Sequence, residues 1–414
     1  MPTSRNIIVA GAGIGGLTAA LMLARSGFRV LLLEQAKRLE ETGAGIQLSP
    51  NATRILIGLG LGERLRADAS TPRAIAVKTA TGGNLTRVPL GEATEQRYGA
   101  PYWSIHRADL QAALLEAVHA TPDIALRLDA RVEDFVVHAN GVSVACRRGT
   151  AATQELCIAL ICADGLWSGL RARLGFRGPQ FTQRTAWRAM LPADSVGEEF
   201  RTDEVQLWLG RNAHIVHYPV KSGALINVVA IVTDQWAETG WSTEGARDEL
   251  LAHYSAWNWA APAREFLALP SRWHKWALYD LPPLDRWNDG PVTLLGDAAH
   301  AMLPFLAQGA AMAIEDAAVL ADCLAREPAD PTAAFRRYAR ARRRRTAQVQ
   351  RAARSNGRIY HQTAGEALAR NLLLRLAGGK MLLRRYNWLY DWRAPVPPSA
   401  PRTSDLARSE TNGD

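Results

Sequence analysis

Six residues, Gly11-Ala12-Gly13-Ile14-Gly15-Gly16, hold a G-x-G-x-x-G turn, and a carboxylate, Glu34, stands 18 positions beyond Gly16. Such a turn handles phosphate without a charged side chain. Gly11 permits a tight bend, Gly13 lets backbone approach a pyrophosphate, and Gly16 lets a helix pack on a strand. The anion then rests on the helix N-terminus, where free N–H groups and the helix dipole favour it. Glu34 can hydrogen-bond both ribose hydroxyls of an adenosine and would repel a 2′-phosphate, which disfavours NADP at this position.

A second constellation lies in residues 214–220, HIVHYPV. On a strand, period 2 puts His214, Val216 and Tyr218 on one face and Ile215 and His217 on the other. His214 and Tyr218 then stand about 13 Å apart along the strand axis and can line one pocket from two ends. They cannot form a tight dyad on a straight strand. Both also suit ordinary sheet positions.

These residues need a frame. Residues 7–24 carry no charge and superficially suit a membrane span or signal peptide. Four glycines within six residues argue against a spanning helix. The better parse is strand 6–10, glycine turn, helix 15–26 and strand 29–33, a βαβ unit with two apolar strands for a buried parallel sheet. Residues 161–171 (ICADGLWSGLR) and 292–302 (VTLLGDAAHAM) are further apolar strands, running into Asp164 and Asp297. Two more strands ending in a glycine-flanked aspartate suit a long flavin, which needs contacts beyond the first unit. With no second glycine motif, one tightly bound FAD and a transient NAD(P)H is the economical reading. Segments 205–209, 214–220 and 224–232 read as an antiparallel meander, with a turn at Lys221-Ser222-Gly223.

The chain has 414 residues, enough for two or three lobes. Hydrophobic residues at 48% and charged residues at 21% exclude a mainly disordered or multi-span membrane protein. Four scattered cysteines without a C-x-x-C pair argue against a disulfide framework or a zinc site and suit a reducing cytosol. No metal site is expected. The net charge of +9 resides in residues 336–358, with ten arginines and no acid; without them 39 basic residues face 40 acidic ones. That segment reads as an amphipathic helix whose Tyr338, Ala341, Val349 and Ala352 face the core. A basic protein binding nucleic acid or a membrane surface is the weaker alternative, since no aromatic stacking platform accompanies the arginines. Seven of the 13 tryptophans fall in 236–287 and are expected to pack helices on a sheet.

Five ordered motifs, GAGIGG (11–16), GAGIQLSPNA (43–52), HRADL (106–110), ADGLWSGLR (163–171) and GDAAHAMLPFLAQGAAMAIEDA (296–317), resemble those of the single-component FAD-dependent aromatic hydroxylases. This group includes para-hydroxybenzoate hydroxylase. The chain is most similar to its salicylate hydroxylase, 3-hydroxybenzoate 6-hydroxylase and 6-hydroxynicotinate 3-monooxygenase branch. The resemblance spans about residues 5 to 360. It implies that Gly11, Gly13, Ile14, Gly15, Gly16 and Glu34 hold the ADP half of FAD, and that Gln47 faces the flavin loop. Arg107 would meet the pyrophosphate or ribityl region. Asp164 would lie near the pyrophosphate and nicotinamide path, and Asp297 would meet a ribityl hydroxyl. Gln308, Gly309 and Ala310 would bring N–H groups to the pyrimidine edge. His214 becomes the base for a substrate hydroxyl, Tyr218 its orienting partner, and Pro304 the flavin-side wall. The chain departs from the family at Cys162, where a glycine is common; we read it as a small buried hydrophobe. Pro304 tilts the expectation toward salicylate-like chemistry.

The resemblance implies a monooxygenase that hydroxylates a phenolic or hydroxylated N-heteroaromatic acid with NAD(P)H and O₂, through a flavin 4a-hydroperoxide. A related enzyme acting on a bulkier secondary metabolite or antibiotic is the alternative. The expected architecture is α/β: a Rossmann-like FAD lobe interleaved with a β-sheet substrate lobe, plus a C-terminal helical extension. The boundaries are 1–175 for the FAD lobe (72–100 joining the substrate lobe), 176–284 for the substrate lobe and 285–355 for the returning FAD lobe. Helices at 356–393 and a disordered tail at 394–414 complete it. A cytoplasmic monomer or homodimer, with neither nucleic acid nor a membrane span, is expected.

Overall fold

Five nearly all-apolar strands form a parallel layer, because only strands covered on both faces can be so uniformly hydrophobic. In space they run Val292–Leu294, Ala159–Cys162, Asn6–Ala10, Arg29–Leu33, Ile124–Arg127, with the short Asn288–Asp289 antiparallel at one edge. The computed structural model describes residues 6–39, 44–238, 240, 242–255 and 258–395. Helix Ile14–Arg25 follows the glycine turn and buries Leu17, Ala19, Ala20 and Leu23. Helix Gly309–Arg326 packs beside it. The βαβ unit stands within one residue of its expected limits.

The second sheet has eight strands, in the order Thr243–Gly245, Trp273–Asp280, Gln180–Pro192, Leu225–Thr233, Ala213–Val220, Val205–Leu209, Ala74–Thr79, Asn84–Pro89. The meander lies at its centre, and residues 74–89 add two strands beyond Val205–Leu209. The turn at Lys221–Gly223 takes three consecutive left-handed residues, φ +51°, +51° and +91°. One face carries helices Arg247–Ser255 and Ala261–Ala268, with Trp187, Trp259, Trp273 and Phe266 between. Trp241 and Trp257 lie outside the described residues. The sequence reading missed a three-stranded antiparallel sheet, Arg131–His138, Gly141–Arg148 and Ala151–Cys157.

The C-terminal part departs from expectation in two ways. One helix runs unbroken from Pro331 to Tyr360, so the boundary at 355/356 falls inside it. Its buried face also differs. Ala341 is exposed and Ala352 half-buried, whereas Tyr338, Arg342, Thr346, Val349, Gln350 and Ala353 point inward. The apolar-only pattern went astray because it sent every arginine to water. Arg342 is 1% exposed, bonding Glu315 Oε2 and Asp316 Oδ1 at 2.6 Å each. Arg345 also pairs Glu315, and Arg354 pairs Asp280. Helix Ala364–Arg385 follows, and then Asn387–Tyr390, whose Tyr390 meets Tyr98 edge-on at 5.7 Å. The expected tail lies, from residue 396 on, outside the described residues. Among the described residues no helix is long and apolar enough to cross a membrane.

Candidate active site

The glycine turn divides into positions that pack and one that faces space. A Cβ on Gly11 would sit 2.4 Å from the Ala163 carbonyl oxygen, and one on Gly16 would sit 1.9 Å from that of Gly11. A Cβ on Gly15 would press Leu295 and Ala313 at 2.9 and 3.1 Å. Ile14 is buried, so Ile14 and Gly15 can offer a pyrophosphate only backbone N–H groups. At Gly13 nothing lies within 4 Å of an added Cβ. That opening, at an uncapped helix N-terminus, fits a pyrophosphate. Glu34 braces the same loop, accepting from Ala12 N at 2.7 Å and Ala36 N at 2.8 Å.

Across the sheet, Asp297 is exposed at the start of helix Asp297–His300. Its Oδ1 lies 3.9 Å from where a Cβ on Gly309 would stand. Helix Gly309–Arg326 begins without a side-chain cap, so the N–H groups at Gly309 and Ala310 have no partner four residues back. Asp297 and that helix start flank one gap, of the donor and acceptor kinds a ribityl chain and pyrimidine edge require. Gln308 is buried; its amide donates to Ser49 Oγ at 2.8 Å and accepts from Asn51 Nδ2 at 3.2 Å. It braces the loop with its side chain.

Asp164, Arg107 and Gln47 are engaged within the protein. Asp164 accepts from Ser168 Oγ at 2.6 Å and Leu170 N at 3.2 Å, and burial pushes its carboxyl up. It shapes the loop against which Gly11 packs. Arg107 opens helix Arg107–His119 and donates its backbone N–H to Ala44 O at 2.8 Å. Gln47, on strand Gly45–Leu48, accepts from the Tyr102 hydroxyl at 2.7 Å and neighbours Tyr218. Its side chain is thus turned to two tyrosines. Cys162 is fully buried in strand Ala159–Cys162, and burial raises its thiol well above the usual range. Its position suits the structural role expected.

His214 and Tyr218 share the face of strand Ala213–Val220 turned toward the first lobe. Tyr218 lies at the junction where Gly45 N donates to Asn227 Oδ1 at 2.7 Å; burial pushes its phenol up to about 12. The His214 ring lies 5.4 Å from Phe305 and 5.3 Å from Tyr360, and its Nδ1 is 2.8 Å from His361 Nε2. Burial holds His214 neutral, reinforced by His361 and Arg184. Pro304 opens the short turn Pro304–Leu306 that presents Phe305. His217, on the other face, takes the Trp208 indole N–H at 3.3 Å beside Phe200 and Phe266, and burial lowers it to about 3. His300 bonds Asp316 at 2.5 Å, in keeping with a loop-packing role.

Sequence reasoning missed Arg184, Tyr360 and His361. None of the three gave a local signal: Arg184 stands among the polar residues Thr182, Gln183 and Thr185 at the start of its strand. Its Nε is buried with no hydrogen-bond partner among the described residues.

The FAD binding domain family matches residues 4–354. The chain is an FAD-dependent aromatic hydroxylase. It is 38% identical over 392 residues to a 3-hydroxybenzoate 6-hydroxylase of Polaromonas naphthalenivorans, covering 94% of this chain and 97% of that one. Among solved structures, this hydroxylase resembles a salicylate hydroxylase substrate complex, with TM-score 0.80 and 27% identity over 95% and 97% of the two chains. It also resembles Klebsiella pneumoniae HpxO complexed with FAD and uric acid, with TM-score 0.81 and 28% identity over 93% and 96%. FAD is its cofactor, and the Gly13 opening and the Asp297–Gly309 gap suit that group.

Proposed function

We propose that this hydroxylase acts on a phenolic acid, salicylate-like or 3-hydroxybenzoate-like, or on a hydroxylated N-heteroaromatic acid. His214 serves as base and Tyr218 as the orienting group. The observation that carries the reading is the shared face of His214 and Tyr218, with Arg184 and Arg188 on strand Gln180–Pro192, which lies beyond Leu225–Thr233 in the same sheet. Arg184 acts on His214, and Arg188 acts on Tyr218. Two guanidinium groups beside a neutral imidazole suit an acid whose phenol must ionise. Bound flavin, reduced by NAD(P)H, supplies the activation of O₂. The protein's own part is to hold the ring against Phe305, take the phenolic proton at His214, and exclude water. Loss of that proton enriches the ring positions ortho and para to the oxygen, ready for an electrophile. Burial keeps His214 unprotonated before substrate arrives, and a phenolate formed beside it would offset the cost of charging the ring.

The enzyme works as a monomer or homodimer in the cytoplasm under this reading. The test is a visible spectrum of the purified holoenzyme, followed by NADH and NADPH oxidation under air with a panel of hydroxybenzoates and hydroxynicotinates. Acceleration by one such acid, with formation of its hydroxylated product, is expected. No acceleration by any member would overturn the small-acid reading in favour of a bulkier substrate.

A further inference from the structure

The His214–His361 contact ties the candidate base to a residue far along the chain. His361 is the first residue beyond helix Pro331–Tyr360, and its ring lies 5.0 Å from that of His214. The end of this helix is anchored at the site. Asn356 Nδ2 donates to Phe305 O at 3.1 Å, and Arg370 donates to the carbonyls of Ile359 and Tyr360 at 3.0 and 3.2 Å. His361 is 7% exposed, and its Nδ1 is buried without a partner among the described residues.

A phenol base must offer a bare ring nitrogen. For His214 Nε2 to take a proton, Nδ1 must carry the other hydrogen, and that hydrogen needs an acceptor in so dry a place. Among the described residues His361 Nε2 is the atom within hydrogen-bond distance of His214 Nδ1, at 2.8 Å, and the tautomers of the two rings decide which nitrogen donates. We propose that His361 is a positioning residue: its Nε2 accepts the Nδ1–H of His214 and holds His214 in the tautomer whose Nε2 takes the phenolic proton. The inference rests on the reading of His214 as base. In the step itself the phenolic O–H bond breaks and a His214 Nε2–H bond forms. The electron pair stays on the phenolic oxygen, and the positive charge on His214 is shared through the hydrogen bond to His361.

The buried Nδ1 of His361 supports this role over simple packing. An unpartnered buried polar atom costs about 1–3 kcal/mol, which an apolar side chain in the same space would avoid. The groups facing the pair are Arg184 from strand Gln180–Pro192, Tyr360 from the long helix and Arg370 from helix Ala364–Arg385. Tyr254 donates to the His214 carbonyl at 3.0 Å. The cations oppose a resting charge on either ring, so the pair is poised to gain one only with an anionic phenolate present.

The test uses the FAD-loaded enzyme and 3-hydroxy-4-nitrobenzoate, whose phenolate absorbs visible light, without reductant. Wild type should bind the ionised form. His361→Phe should raise the apparent pKa of the bound phenol by about one unit, a tenfold loss of phenolate at fixed pH, with FAD content unchanged. His361→Gln, whose amide oxygen can accept the same hydrogen, should restore ionisation. An unchanged phenol pKa in His361→Phe would overturn the proposal, as would equal impairment of the two variants. If His361→Phe fails to fold, His361→Gln against His361→Leu decides on the same readout. If His214→Ala also leaves ionisation unchanged, the base reading itself fails. If only the His361 variants are silent, this inference alone fails.

Discussion

Asn51 donates its Nδ2–H to Glu315 Oε1 at 2.7 Å, and neither side chain is reached by water. Glu315 also binds Arg342 and Arg345, while its neighbour Asp316 binds Arg342, His300 and the Gly296 N–H. The arginine-rich helix is thereby bonded, through buried charges, to the loop that presents Asp297 and to the helix behind Gln308. Removing Arg342 would leave two carboxylates buried and underpaired. Arg342→Met should cost about 3–5 kcal/mol. A urea midpoint equal to that of wild type would contradict this.

The glycine turn separates binding from folding. Gly13→Val should leave the fold intact and strip the protein of its flavin, because the new side chain enters open space at the helix start. Gly16→Ala should instead lower the unfolding midpoint, since the Gly11 carbonyl occupies the place of its methyl. Circular dichroism and the flavin absorbance of the purified variants distinguish the two. Retention of flavin by Gly13→Val would remove Gly13 from the cofactor site.

His214→Ala is expected to keep FAD and to go on consuming NADH while hydroxylated product falls, by about 10²–10⁴-fold for loss of a positioned base. The ratio of product formed to NADH oxidised measures this. A ratio like that of wild type would sink the assignment.

Stability should fall as the solution is acidified. The folded rings of His217 and His361 are lowered to about 3, while an unfolded histidine titrates near 6.5. Between those values the unfolded chain binds more protons than the folded one, so protons favour unfolding and stability rises with pH. Each ring contributes about 1.4 kcal/mol per pH unit across that window. Urea midpoints at pH 7, 5.5 and 4.5 should drop less steeply for His217→Phe than for wild type. Parallel curves would mean that His217 is protonated in the folded state.

The FAD lobe was legible because its signals are local. Glycine spacing, apolar runs and one acid place Asn6–Ala10, Ile14–Arg25 and Arg29–Leu33 within a residue. Alternation likewise put His214 and Tyr218 on one face. What escaped depends on long-range pairing. Arg342 looks like a solvent residue until Glu315 and Asp316 are placed beneath it. His361 has no periodic partner and follows a helix end, so only the folded chain brings it to His214. The sheet Arg131–Cys157 escaped for another reason: its outer strands are largely exposed, with Val136, Val137 and Leu156 open to solvent, so they lack the alternation that marks a half-buried strand.

The interleaving of the two sheets also orders how this chain can be made. Strand Ala159–Cys162 gains its neighbour Val292–Leu294 only after about 130 further residues have been synthesised. At roughly 5–20 residues per second that leaves an apolar strand edge unmatched for on the order of 6–30 s on the ribosome. Nascent chains of intermediate length should therefore be the ones that engage chaperones, and the first lobe should become protease-resistant only once the segment through Arg326 has emerged.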